Sequence, residues 1–219
     1  MLSYTEENYL KAIYKIIEKE KNTASTNALA KFLGTTPASV TDMMKRLAEK
    51  ELINYEKYRG VSLTNVGSRL ANALIRKHRL WEVFLVDKLR FSWDQVHDIA
   101  EELEHIQSEE LIMRLDAYLD YPKYDPHGDP IPNSEGKYTL RTQLPLSDLM
   151  SGQSGQILGV KEHGNAFLKY LNQLRIKLGT IIQIMERIEY DSSLKITVDG
   201  KESYTISDSV AQSLLVKKV

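Results

Sequence analysis

Apolar residues recur at helical spacing through most of the chain and shift to short, strand-like runs in its last third. In "TEENYLKAIYKIIEK", residues 5–19, Tyr9 or Leu10, Ile13, Ile16 and Ile17 predict an amphipathic helix. "STNALAKFLG" predicts a short helix closed by Gly34. In "TTPASVTDMMKRLAEKELI", Thr36 suits the N-cap and Pro37 the first helical position, while Val40, Met43, Met44 and Leu47 supply a buried stripe. Two helices joined by a tight turn make a helix-turn-helix pattern. The strand-like segments "LINYE" and "VSLT", joined by "KYRG", complete the order of a winged helix-turn-helix.

Thr64 can cap the next helix, "VGSRLANALIRKHRLWEVFLVDKL". That run is apolar around much of its girth, more than one small head needs to bury, and the spare area predicts a helical dimer interface. A further helix is expected from about Asp94 to Glu104 and beyond, and another around Ser108–Leu119. "YPKYDPHGDPIPNSEGK" is crowded with Pro and Gly and reads as a loop, and residues 137–150 as a linker or extended arm. From about Leu144, "GQILGVKE" and "GTIIQIMERI" read as strands around the helix "AFLKYLNQL". "LKITVDGKESYTI" reads as a hairpin turning at Asp199-Gly200, within a small β-barrel-like domain. The expected fold class is mainly α with a small β domain.

Composition narrows the chemistry. The absence of cysteine excludes disulfides, thiolate zinc sites, iron–sulfur ligation and cysteine nucleophiles, so any metal must use oxygen and imidazole ligands. No apolar run approaches the roughly 20 residues needed to cross a bilayer, and the polar, acidic start "MLSYTEENYLKAIY" is not a signal peptide. The expected location is the cytoplasm, with no membrane partner. The formal net charge of −1 is uninformative, but its distribution is not. Residues 1–72 carry 11 Lys/Arg against 8 Asp/Glu, whereas residues 97–120 carry one Arg against 8 Asp/Glu. A basic head and an acidic segment suggest two different partners.

The acidic segment contains "HDIAEELEH", residues 97–105. At about 100° per residue, His97, Glu101, Glu104 and His105 share an arc of roughly 100° on one helix face, opposite Val96, Ile99, Leu103 and Ile106. The preceding helix carries His78 and Glu82 one turn apart. Imidazoles and carboxylates on helices suit a divalent first-row ion. A solvated charged face is the competing explanation, because His and Glu at this spacing are common on exposed helices. A ferritin-like di-iron site is rejected, since Glu102 and His105 form one E-x-x-H and no second one exists.

The segments "EENYLKAIY", "TPASVTDMMKRL", "YEKYRGVSLTNVG", "RKHRLWEVFL", "VHDIAEELEHIQSEELIMRL" and "PHGDPIP" resemble the diphtheria toxin repressor family of metal-dependent transcriptional regulators, including its manganese-responsive branch. The resemblance covers nearly the whole chain and is most specific in the middle third. It implies a winged helix-turn-helix DNA-binding domain over residues 1–72, a helical dimerisation and metal-binding domain over 73–143 and an SH3-like domain over 144–219. It also implies a primary metal site of Asn8, Glu101, Glu104 and His105, and an ancillary site of His78, Glu82 and His97. In "VKEHGNAF", Glu162 or His163 stands where the SH3-like domain would contribute to the ancillary site. Three departures stand out. Glu101 replaces the cysteine of the iron-responsive branch, the neutral Asn8 replaces Met or Asp, and Lys11 replaces the Glu of a binuclear manganese arrangement. With oxygen ligands and one imidazole, Mn²⁺ is the expected metal and Fe²⁺ the runner-up, with Zn²⁺ and other divalent ions able to bind in vitro.

The expected partner is double-stranded operator DNA, read by a homodimer, with no small-molecule substrate and no enzymatic role. On the recognition helix, Ala38 suits a thymine methyl and Asp42 a cytosine amine, with helix-dipole stabilisation as Asp42's alternative role. Thr36, Ser39, Thr41, Lys45 and Arg46 are the other exposed candidates, and Tyr58 and Arg59, beside Lys57, would carry the wing. In the expected mechanism the metal ties the first helix to the acidic segment, and without it the carboxylates repel and the head wanders. Two other classes compete: a winged-helix repressor sensing an organic ligand, and a metal hydrolase using a bound water.

Overall fold

The computed structural model describes residues 2–20, 22–56 and 60–219. Helix α1 (Tyr4–Glu20) opens with a reciprocal cap. The Ser3 hydroxyl accepts from the Glu6 amide at 3.3 Å, and the Glu6 carboxylate accepts from the Ser3 amide at 2.9 Å. Helix α2 (Thr26–Leu33) starts under the Ser25 side chain and ends at Gly34, whose φ of 62° is the left-handed cap expected there. Helix α3 (Pro37–Glu49) is capped by Thr36, which accepts from the Ser39 amide. Tyr9, Leu10 and Ile13 of α1 meet Leu29, Val40, Met44 and Leu47 in one core. Strands β1 (Ile53–Glu56) and β2 (Gly60–Leu63) pair antiparallel as the wing.

Helix α4 (Asn65–Asp87) begins where the Thr64 hydroxyl accepts from the Gly67 amide at 3.1 Å. Helix α5 spans Val96–Leu103 and α6 spans Glu109–Tyr118. The expected continuation of α5 through Glu104 does not occur, since the Ile106 amide donates to the Leu103 carbonyl and residues 104–105 form a turn. The common helix face proposed for His97, Glu101, Glu104 and His105 is thereby broken.

The last third is an antiparallel sheet in the order β3-β8-β4-β5-β6-β7. Its members are β3 (Leu144–Pro145), β4 (Ser154–Val160), β5 (Ile181–Arg187), β6 (Leu194–Val198), β7 (Glu202–Ile206) and β8 (Leu214–Lys218). Helix α7 (Asn165–Gln173) lies between β4 and β5, and α8 (Asp208–Ser213) precedes β8. Ile157, Ile182, Ile184, Ile196 and Val216 from the strands pack with Leu168 and Leu171 of α7. Asp199 and Gly200, with φ of 48° and 67°, make the β6–β7 turn where the hairpin was expected. Strands β3 and β8 and helix α8 carry no clear sequence signal, because two, five and six residues are too short to show a clear period.

By internal contacts the chain divides into two units: Met1–His78, Glu101–Ile112 and Pro132–Lys137 form one, and Arg79–Ala100, Met113–Ile131 and Tyr138–Val219 the other. Among the described residues no helix is long and apolar enough to cross a membrane.

Candidate metal centre

Tyr4, Glu7, Asn8 and Lys11 follow one another at i, i+3, i+4 and i+7, so they line one face of α1. This face meets the end of α5. Glu104 is fully buried, and a buried carboxylate is costly unless it is paired. It is paired twice. Lys11 Nζ donates to its two oxygens at 2.8 and 2.6 Å, and His78 Nδ1 lies 2.6 Å from Oε2. Burial pushes the Glu104 carboxyl up, but the hydrogen bond from His78 and the charges of Lys11 and His78 outweigh it and hold the group below its ordinary value. Lys11 also reaches Oε1 of the exposed Glu101 at 3.4 Å.

His105 is buried beside this group. Its Nδ1 lies 2.6 Å from Glu7 Oε2, its ring stacks on Tyr4 with centroids 4.5 Å apart, and its Nε2 faces Glu104 Oε1 at 4.0 Å. Gln107 Nε2 donates to Glu7 Oε1 at 2.9 Å and to the His105 carbonyl at 3.1 Å. The imidazole is therefore fixed from behind, with one nitrogen turned toward the buried carboxylate. Asn8 is exposed on the same face of α1. Imidazole nitrogen, carboxylate and amide oxygen are ligand types that suit a divalent cation of the harder first-row kind.

One expectation changes here. The carboxylates are not left to repel one another, because Lys11 bonds both Glu101 and Glu104. His78, expected in the ancillary site, also pairs through Nδ1 with Glu104. Sequence reasoning missed Glu7 and gave Lys11 no role beyond a lost ligand. Their helical spacing from Asn8 and Tyr4 was the signal that could have placed both.

The second unit holds another group. One ligand atom from each of the buried residues Glu82, Asp125 and His127 lies within 4.8 Å of the others. His97 Nδ1 is 3.4 Å from Glu82 Oε1, and His127 Nδ1 is 3.6 Å from Oε2. His127 Nε2 donates to the Trp93 carbonyl at 2.8 Å, which turns Nδ1 toward Glu82. Burial pulls the His127 pKa down, yet the Glu82 hydrogen bond and the charges of Glu82 and Asp125 raise it to about 9. Burial and the charges of Glu82 and Asp129 push Asp125 up to about 7, against Arg79 and His127. Two carboxylates and an imidazole whose ligand atoms lie this close together are ligand types that fit a divalent ion. His163 stands close by, its ring 5.0 Å from that of His127 and its Nε2 3.9 Å from Asp129, while Glu162 is exposed. Burial and the charge of His127 push the His163 imidazole down. Glu82 and His97 are thus brought together as expected. Asp125 and His127 were missed, because a loop gives no period from which to predict convergence.

On α3, Thr36, Ala38, Ser39, Asp42, Lys45 and Arg46 are exposed, and Thr41 is half-buried with its hydroxyl donating to the Pro37 carbonyl at 2.9 Å. Thr36 and Ser39 also contact one another through their hydroxyls at 3.0 Å. Asp42 lies 3.7 Å from Lys45. The wing candidates Lys57, Tyr58 and Arg59 lie outside the described residues.

Comparison with known proteins identifies the family. Residues 1–61 match the family described as iron dependent repressor, N-terminal DNA binding domain. Residues 64–133 match iron dependent repressor, metal binding and dimerisation domain, and residues 144–218 match the FeoA domain. The diphtheria toxin repressor of Corynebacterium jeikeium is 35% identical over 209 residues, 94% of this chain and 85% of that protein. The iron-dependent repressor IdeR of Mycobacterium tuberculosis is 28% identical over 229 residues, 98% of this chain and 97% of that protein. A manganese-dependent transcriptional repressor solved in complex with manganese superposes with a TM-score of 0.84 at 32% identity, covering 98% of this chain and 100% of that one. With its DNA-binding helices, its buried carboxylate–imidazole centre and its C-terminal sheet in that order, the chain belongs to the iron-dependent repressor family of metal-dependent transcriptional regulators, the family of the diphtheria toxin repressor.

Proposed function

We propose that this chain is a homodimeric repressor of double-stranded operator DNA whose DNA-binding head is set by a divalent metal ion, Mn²⁺ first and Fe²⁺ second. It acts as a regulator and not as an enzyme. Residues 1–72 read DNA, 73–143 pair two chains and hold metal, and 144–219 form the SH3-like domain. Asn8, Glu101, Glu104 and His105 hold the ion, with Glu7 orienting His105. A second ion is held by Glu82, Asp125 and His127, with His97 and His163 alongside.

The observation that carries this reading is the position of α1. One face of that helix packs into the core of the DNA-binding head, and another meets Glu104 and His105. A bound cation supplies bonds that join carboxylate, imidazole and amide. It thereby favours the arrangement of α1 in which those groups converge, and only its differential affinity for that arrangement shifts the population. In a dimer, that arrangement sets two α3 helices roughly 34–36 Å apart, the spacing of successive major grooves. Ala38, Ser39, Thr41, Asp42, Lys45 and Arg46 then face DNA, with Thr36 at the start of the helix.

A gel-shift titration with Mn²⁺ and a chelator tests it. Native protein binds its operator more tightly with Mn²⁺, and the double variant Glu104→Ala, His105→Ala loses that response. An operator affinity that ignores both the metal and the double substitution rejects the reading.

A further inference from the structure

The ammonium of Lys11 has the surroundings of a bound cation. Three carboxylate oxygens from two side chains stand around it, Glu104 Oε2 at 2.6 Å, Glu104 Oε1 at 2.8 Å and Glu101 Oε1 at 3.4 Å. The imidazole nitrogen His78 Nδ1 is 3.5 Å away. Lys11 and Glu104 are both buried, at 6% and 0% side-chain exposure, so water does not compete for either partner. Two carboxylates and an imidazole converging on one point are the ligand types that a divalent first-row ion takes. Here the chain delivers a positive charge to that point on its own tether, from the middle of α1.

We propose that Lys11 is a built-in cation: its ammonium permanently fills one position of the α1 centre, leaves at most one for a divalent metal ion, and ties α1 to the α5–α6 turn when no metal is bound. The proposal deepens the metal-centre reading and rests on it for the second position alone. Glu104 is the shared element, with both oxygens on the ammonium and Oε1 also facing His105 Nε2. A metal ion held by Asn8, Glu101, Glu104 and His105 would therefore share the Glu104 carboxylate with a lysine ammonium. Head docking then has a metal-independent part, and the metal adds to a contact that already exists.

Ion counting tests the first part. Equilibrium dialysis against Mn²⁺ gives the number of ions per chain for native protein and for Lys11→Glu. The variant exchanges an ammonium for a ligand among the same acceptors, so one additional ion per chain is expected, and equal counts overturn the proposal. Because the Glu82 group is unchanged, the difference reports on the α1 centre alone. Should Lys11→Glu fail to fold, anomalous scattering from Mn²⁺-soaked crystals of native protein answers the same question. At most one peak bonded to Glu104, with Lys11 Nζ still against Oε2, agrees with the proposal; two peaks there, or a displaced Lys11, overturn it. No peak there with Lys11 in place removes the metal-centre reading and leaves the ammonium as sole occupant. The tether is tested on metal-free protein, where Lys11→Met is expected to lower the melting temperature by several degrees, and an unchanged melting temperature rejects it.

Discussion

Nδ1 of His105 lies 2.6 Å from Oε2 of Glu7, so a carboxylate on α1 orients the imidazole that presents Nε2 to Glu104. Groups of this kind fix the tautomer and ring orientation of a ligating histidine, and losing one typically costs about 10–100-fold in metal affinity. Glu7→Ala is expected to weaken Mn²⁺ binding by that order while leaving the fold intact, as read by calorimetric titration and circular dichroism. An affinity equal to that of the native protein would mean that Glu7 serves only as a cap for Gln107.

The two metal groups should be separable. His127→Ala removes one ligand of the second unit and leaves Glu101, Glu104 and His105 untouched. The expected outcome is the loss of one Mn²⁺ per chain in equilibrium dialysis, with the rest retained. Complete loss of metal would show that the groups do not bind independently.

Lys50 ties α3 to α1, its Nζ donating to Glu6 Oε1 at 2.6 Å. This hydrogen bond, with that from the Ser3 amide, outweighs burial and lowers the Glu6 pKa below its usual value. A depressed carboxylate pKa stabilises the fold above the unfolded value, about 4.3, and the contribution disappears as pH falls through the folded value. Lys50 is half-exposed, so solvent screening keeps the pair at about 1 kcal/mol or less. Lys50→Met should lower stability by that amount at pH 7, and the gap to native protein should close in acid. Urea unfolding at several pH values measures it; a gap independent of pH excludes the pair as its source.

Gly67 stands where α4 passes the entry to the wing. A Cβ at that position would lie 2.0 Å from the carbonyl oxygen of Leu52. Backbone cannot yield as a flexible side chain does, so Gly67→Ala is expected to cost about 1–3 kcal/mol or more through displacement of α4. Thermal unfolding measures the effect, and a native melting temperature would contradict the close approach.

Much of the head was legible because its signals are local. Ser25, Gly34, Thr36 and Pro37 act on the backbone within one turn, and the stripe Val40, Met44 and Leu47 needs only helical period to be seen. The candidate site was legible in part. Glu101, Glu104 and His105 were singled out by residue type and by resemblance, but the helix geometry first used to unite them fails beyond Leu103. Glu104 turns to Lys11 and His78, which lie 93 and 26 residues away in the chain.

By itself the sequence determined the order of elements, the reliance on oxygen and imidazole ligands, and the two kinds of partner implied by its charge distribution. Local backbone preferences and residue chemistry suffice for these. Only the tertiary structure decided that Lys11 stands among the acceptors of the primary centre, that Glu7 holds His105, and that Asp125 and His127 join Glu82. Each of those depends on charges that burial removes from water and that then must find partners. Which partner is in reach is a property of the folded chain, and no spacing along the sequence encodes it.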